Sequence, residues 1–269
     1  MEQRRLVPRD PASPLVPVVG MGTSQTFDTD DQDLVDAVVA RAMAHGTTLF
    51  DSSPMYGRSE ATLGRALEGR RDQAVVATKV WTPDDGDAEA QMDASARFYG
   101  GRVDLMQVHN MVAWRTRLDQ VEARRERGEV AFVGATHWQV SGFADLEECM
   151  ATGRVDVVQV PYNPVERDVE ERILPRAAEM GLGVLVMRPF ANAALLRDPP
   201  PAPELAALAA TGIATWSQAL LAWGLSHPAV AAAIPATSKP DRAEENAAAG
   251  ALPPLDPDVR ARIASLVTR

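Results

Sequence analysis

Cysteine is nearly absent from this sequence. Cys149 stands alone among 269 residues, which excludes an intrachain disulfide and a cysteine-built zinc cluster. A chain without disulfides suits a reducing compartment, so the cytoplasm is the expected location. Basic residues are also in deficit. Against 37 Asp and Glu there are 27 Lys and Arg, a net charge of −10, which is the wrong sign for a nucleic-acid or anionic-membrane surface. No apolar run approaches the ~18 residues of a membrane span. Arg4-Arg5 is followed by Leu-Val-Pro-Arg-Asp-Pro rather than an apolar stretch, so a twin-arginine leader is not expected. A G-x-G-x-x-G fingerprint is missing too, since Gly20-Met21-Gly22 does not continue to a third glycine, and no Walker loop occurs. Both absences weigh against a doubly wound nucleotide-binding sheet.

What the chain does have is alternation, and with 46% hydrophobic residues it has material for a sizeable core. Short, valine-rich runs fall at 16–20, 48–50, 74–78, 103–108, 131–135, 155–160, 183–187 and 230–234. They are continuous rather than alternating, as strands buried on both faces are. Stretches with helical spacing separate them, at 31–45, 59–67, 87–98, 115–127, 143–152, 170–180, 215–225 and 241–249. Gly46 and Gly181 stand where two of these helices should stop. Eight strands alternating with helices, in a chain near the usual ~250 residues, predict one (β/α)8 TIM barrel domain over residues 1–269. Two pieces lie outside the alternation: a Pro/Ala-rich insertion at 190–212 and a C-terminal helix at 257–268.

Such barrels build their sites from the C-terminal ends of the strands. Here those ends collect Asp51 with Tyr56 behind it, Lys79 with Trp81, His109 with Asn110 and Trp114, Thr136-His137-Trp138, Gln159, and Arg188. Taken singly, each has a structural explanation: a solvated lysine, a tyrosine packing a Pro-Gly turn, a hydrogen-bonded core histidine. Their convergence on consecutive strand ends points to chemistry instead. A nearby Lys79 ammonium would favour the phenolate of Tyr56, and Asp51 would keep that ammonium charged and oriented. A phenol tuned this way can protonate a developing alkoxide, with His109 orienting or polarising the same oxygen. Carbonyl reduction needs this and a hydride, which no side chain supplies, so a nicotinamide or similar cofactor is required. Met55, Trp81, Trp114 and Trp138 are the expected substrate wall. An open, aromatic mouth would favour bulky or apolar carbonyls over small acids.

The residues resemble those of the aldo-keto reductase family, of the short bacterial type. The resemblance runs from "VVGMGT" at 18–23 to about residue 250 and is most specific in "FDSSPMYGRSEATLGRAL". "VVATKV", "VDLMQVHN", "VVQVPYNP" and "IPATSKPDRAEENAAA" follow in the family's order. It implies a catalytic set of Asp51, Tyr56, Lys79 and His109, with Tyr56 as general acid. NADPH is the implied cofactor, with NADH possible as well. Gln159 would bind the nicotinamide carboxamide, Arg242 the 2′-phosphate, and Glu245 and Asn246 the adenine. Gly22, Thr23, Thr136, His137, Met187, Arg188, Pro189, Phe190, Ile234, Thr237, Ser238 and Lys239 complete the implied cofactor contacts. The chain departs from the family's pattern at several places, and Thr237 stands where serine is usual. Ala236 stands where lysine is frequent, Thr136-His137 replaces a usual Ser-Asn, and Met187 replaces a stacking tyrosine. No metal is expected, and the expected partner is a small carbonyl compound. Two other readings stay open: a nicotinamide-binding sensor with little turnover, and an enzyme that uses the Tyr-His pair for proton transfer alone.

Overall fold

The computed structural model describes residues 1–267. Its first two strands, β1 (Gln3–Arg5) and β2 (Leu15–Pro17), form an antiparallel hairpin. The remaining eight are β3 (Met21–Gly22), β4 (Leu49–Asp51), β5 (Val75–Val80), β6 (Val103–His109), β7 (Val130–Thr136), β8 (Val157–Pro161), β9 (Gly183–Met187) and β10 (Ala232–Ala233). They lie in sequence order in one parallel sheet. Bridges from Val19 to Ala233 and from Gly22 to Ala236 join the first of these strands to the last, closing the sheet into the expected (β/α)8 barrel.

The helices are α1 (Gln32–Ala44), α2 (Ser59–Ala66), α3 (Asp85–Phe98), α4 (Trp114–Glu126), α5 (Phe143–Ala151), α6 (Ile173–Met180), α7 (Ala194–Arg197), α8 (Ala202–Leu208), α9 (Trp216–Leu225), α10 (Pro240–Ala248) and α11 (Pro257–Val267). Their starts follow local chemistry. Asp31, Asp84 and Thr215 each accept a first-turn N–H of α1, α3 and α9. The 190–212 segment holds α7, α8 and a turn of 3₁₀ helix at Ala209–Thr211. The last residue of the 257–268 helix expected from sequence lies outside the described residues.

One strand differs from expectation. The apolar run at 16–20 is divided: residues 15–17 pair with 3–5, and barrel pairing begins at Val19. The hairpin's Leu6, Val7 and Val16 pack onto Leu49, Ala77, Leu105, Val157, Leu185 and Ala232, plugging the barrel interior below the site. A second, larger apolar cluster lies between the sheet and the helices. At about 25 cal/mol per Å² these two layers carry most of the hydrophobic stabilisation.

Candidate active site

Side chains along a barrel strand alternate between interior and exterior, so residues two apart share a face. Leu49, Ala77, Leu105, Val157, Leu185 and Ala232 form the dry interior layer. Two positions further along the same strands stand Asp51, Lys79, Gln107, Gln159, Met187 and Ile234. On β4, β5, β6 and β8 the interior thus changes within one layer from hydrocarbon to a polar floor, while Met187 and Ile234 keep it apolar at β9 and β10.

That floor is tightly bonded. Lys79 Nζ donates to Asp51 Oδ1 at 2.5 Å and to the Ser52 carbonyl at 2.8 Å. Gln107 and Gln159 both donate their Nε2 to Asp51 Oδ2, at 3.0 and 2.9 Å, and Gln159 also reaches Gln107 Oε1 at 3.2 Å. Lys79 and Asp51 side chains are 1% and 4% exposed. Burial alone would discharge the lysine, but attraction to Asp51 and Tyr56 outweighs it and holds the ammonium above its ordinary range. Gln107 was not foreseen. Its signal was a polar residue two positions before His109, on the same face of a strand whose other polar residue, Asp104, points to the opposite face. Room for it comes from Gly134 on the adjacent strand, where a Cβ would stand 2.8 Å from Gln107 Cγ.

Tyr56 arrives by a different route. Ser53 caps a 3₁₀ turn, Pro54–Tyr56, by accepting the Met55 N–H, and Gly57 then turns the chain at φ +60°. A side chain at Gly57 would strike the Asp28 carboxylate, which also accepts the Arg58 N–H. The result holds the Tyr56 ring 5.1 Å from Lys79 Nζ and edge-on to His109, with centroids 5.9 Å apart. His109 Nδ1 meets Ser53 Oγ at 3.0 Å. Burial, with the Lys79 charge behind it and His137 adding further, drives the His109 pKa down to about 2, so the ring is neutral. Behind Lys79, buried Glu60 accepts from Thr78 and Ser95 at 2.6 and 2.7 Å, and burial raises its pKa.

A cavity of about 1010 Å³ opens above this floor, the size of a substantial ligand site. Asp51, Tyr56, His109, Gln159, Met55 and Trp138 line one part of it. Gly22, Thr23, Met187, Arg188, Pro189, Phe190 and Ile234 continue the wall, and Thr237, Lys239, Arg242, Glu245 and Asn246 extend it to a far end. Glu245 is already engaged there, by Ser217 and Arg242. Burial opposes its charge, but the Ser217 and Thr215 hydroxyls and Arg242 keep its carboxyl below the usual range. Sequence reading missed Ser217, Thr215 and Trp216, which line the same cavity from the start of α9. No local pattern marks them, because they reach the cavity from a helix distant in sequence.

Five expected contacts do not line this cavity. Trp81 leaves β5 sideways because its N–H and C=O both bond to the Gln91 side chain on α3, at 2.8 and 3.0 Å, and the residue stays 40% exposed. Trp114 is turned inward by left-handed Asn110, Met111 and Ala113. It starts α4 buried, under the Arg115 guanidinium at 4.1 Å. Thr136 is fully buried, with its hydroxyl unpartnered. His137 Nδ1 is folded back onto Gln139. Ser238 also lies outside the cavity wall. Among the described residues no group of three His, Cys, Asp or Glu could hold a metal ion, and no single helix is long and apolar enough to cross a membrane.

The sequence model of the aldo/keto reductase family matches residues 18–268. The chain is 27% identical to aldo-keto reductase YhdN of Bacillus subtilis over 195 residues, 62% of this chain and 56% of that protein. It is 26% identical to methylglyoxal reductase YeaE of Escherichia coli over 246 residues, 87% and 85% of the two lengths. Among solved structures, an aldo-keto reductase from Klebsiella pneumoniae in complex with NADPH superposes with a TM-score of 0.84 at 25% identity, covering 99% of this chain and 95% of that one.

Proposed function

The chain belongs to the aldo/keto reductase family, and from that premise we propose that it reduces an aldehyde or ketone to an alcohol with NADPH, or runs the reverse. The observation that supports this most is the Asp51–Lys79 pair at 2.5 Å beneath Tyr56, open to a cavity that ends among Lys239 and Arg242. The residues present fit a phosphorylated dinucleotide. The far end carries Lys239 and Arg242, Gln159 lines the cavity with its amide nitrogen committed to Asp51 and Gln107, and the buried Oδ1 of cavity-lining Asn110 lacks a partner. When bound, the nicotinamide supplies the hydride equivalent to the carbonyl carbon.

The protein's own groups handle the proton and the developing charge. Tyr56 donates its phenolic proton to the carbonyl oxygen as it becomes an alkoxide. The Lys79 ammonium stabilises the phenolate that remains, and Asp51 with its two amide donors fixes that ammonium in place. His109 is neutral and binds the same oxygen. Ser53 Oγ accepts from Met55 N–H, so its own proton can go to His109 Nδ1, which leaves Nε2–H as the donor toward the substrate. Met55 and Trp138 supply apolar wall.

The test is a titration of the purified chain with NADPH and, separately, NADH, followed by a panel of aldehydes. Tight NADPH binding with aldehyde-dependent loss of its absorbance is expected, and Tyr56→Phe should lower kcat by about 10²- to 10⁴-fold with cofactor affinity retained. Failure to bind either cofactor would sink this reading. Binding without turnover would favour a sensor.

A further inference from the structure

We propose that the mouth of this cavity takes a carbonyl compound that also carries a carboxylate, with the Arg188 guanidinium as its anchor. The inference rests on the reductase reading above, since it names the substrate class of that same site. It departs from the preference for uncharged carbonyls that the aromatic residues alone suggested.

The first observation is direction. Arg188 follows β9 with φ +54° and lines the cavity. Its guanidinium lies 5.2 Å from the Trp138 ring centroid, and Nη1 meets Glu166 Oε1 at 3.2 Å. Trp138 follows β7 and Glu166 follows β8, the two strands before β9 in the sheet. Neither contact is on the side of β10, beyond which lie Lys239 and Arg242. The charge is therefore turned away from the end suited to cofactor phosphates and toward the part of the wall that holds Trp138 and His109.

The second observation is bonding capacity. A guanidinium has five N–H donors. Here Nε is buried and closed to solvent, Glu166 pairs with Nη1, and among the described residues no hydrogen bond takes the Nη2 donors, which are the ones left for a ligand. The arrangement is also rigid. Asn163 Nδ2 donates both to Glu166 Oε2 at 2.6 Å and to the Arg188 carbonyl at 2.8 Å, tying the ion pair to the backbone that presents it. A planar fork held against an indole face, with donors to spare, matches a carboxylate better than any neutral group.

The third observation is charge context. Asp51 is committed to Lys79 and two amides, and Glu245 to Arg242 and Ser217. Among the described residues lining the cavity, Lys239, Arg242 and Arg188 are the lysines and arginines, and Arg188 is the one outside the far end. Arg188 shares its charge with Glu166 at 3.2 Å, so an entering carboxylate would bridge to or compete with that partner.

The experiment separates this from the reductase reading. Calorimetric titration of the full chain with benzoate and with benzamide, with and without NADP+, reads the anion site without turnover. Benzoate should bind about tenfold tighter or better, and the difference should vanish in Arg188→Gln and partly return in Arg188→Lys. In parallel, kcat/KM with NADPH for 4-carboxybenzaldehyde should exceed that for its methyl ester by about tenfold, through KM, and the ratio should collapse in Arg188→Gln. Equal binding of benzoate and benzamide overturns the proposal, as does a benzoate preference that survives Arg188→Gln. Turnover of both aldehydes at equal efficiency overturns it while leaving the reductase intact. Benzoate discrimination without turnover of any aldehyde supports the anion site and sinks the reductase reading. An Arg188→Gln variant that weakens NADPH binding but keeps the acid-to-ester ratio places Arg188 on the cofactor and overturns the proposal.

Discussion

Asp51 and Arg188 both bring charge to one cavity, yet their surroundings differ. Asp51 ends a regular strand, is 4% exposed, and is held by an ammonium and two amide groups. Arg188 leaves its strand in a left-handed conformation, is 22% exposed, and meets one carboxylate and one indole face. Beyond it, Ala191, Asn192 and Ala193 are left-handed as well. The polar floor is over-determined by strand register. The rim is a left-handed loop outside the sheet, pinned at Arg188 by Asn163 and Glu166 rather than by strand pairing. On the proposed reading, the groups that handle the proton sit on the scaffold, and the group that recognises the substrate sits on a loop beyond a strand end.

The comparison breaks most visibly at Lys79. Lys79→Met leaves Asp51 buried with neutral partners, so a loss of about 3–5 kcal/mol is expected by chemical denaturation, with turnover falling by about two orders of magnitude or more. Arg188→Gln should stay within about 1 kcal/mol of wild type in the same measurement, as partly exposed pairs do. Equal losses at the two positions would erase the distinction between floor and rim.

A smaller effect concerns acid. His109 has its folded pKa depressed to about 2 by burial, with Lys79 second. Below the ordinary histidine range the unfolded chain takes up a proton that the folded one refuses, so stability falls as pH falls. The slope approaches about 1.4 kcal/mol per pH unit between about pH 6 and pH 5. Glu60 acts in the opposite sense. Its raised folded pKa contributes stability that is present at low pH and is lost as pH rises above the carboxylate range. Subtracting the pH profile of His109→Phe from that of wild type cancels the Glu60 part, and the remainder should show the histidine slope. A flat remainder would mean that His109 is solvated.

At the rim, Ala193→Gly should raise stability by about 0.5–1 kcal/mol, because φ +65° costs an alanine what glycine does not incur. The smallest effect sharpens the outline of the wall. Trp81→Phe should change kcat/KM by less than about twofold, as an exposed substitution outside the site does, whereas Trp138→Phe should shift KM.

The barrel was legible because its signal is redundant. Valine-rich strands alternate with helical spacing, and misplacing one does not change the architecture. The first strand was misplaced because an apolar run reads alike whether it pairs with a hairpin partner or enters the barrel, and residues 3–5, which decide between the two, carry no strong pattern. Asp51, Lys79 and His109 were legible because strand ends are where such residues are conspicuous, and Tyr56 because it stands in the Pro-Gly loop just behind Asp51. The period of two could also have found Gln107, but an amide inside a strand reads as an interruption of the core rather than as a partner for a carboxylate.

From its sequence alone this chain could be assigned a parallel barrel and a cluster of an acid, a lysine, a tyrosine and a histidine at one rim, because strand periodicity and strand ends are local properties. Only the tertiary structure decided that two glutamines from separate strands share one carboxylate oxygen, that Trp81 and Trp114 turn away from the mouth, and that Arg188 faces Trp138 and Glu166. The reason is physical. Each of those facts depends on where a side chain goes after its strand ends, and that is set by contacts with residues tens of positions away rather than by its own neighbours in the chain.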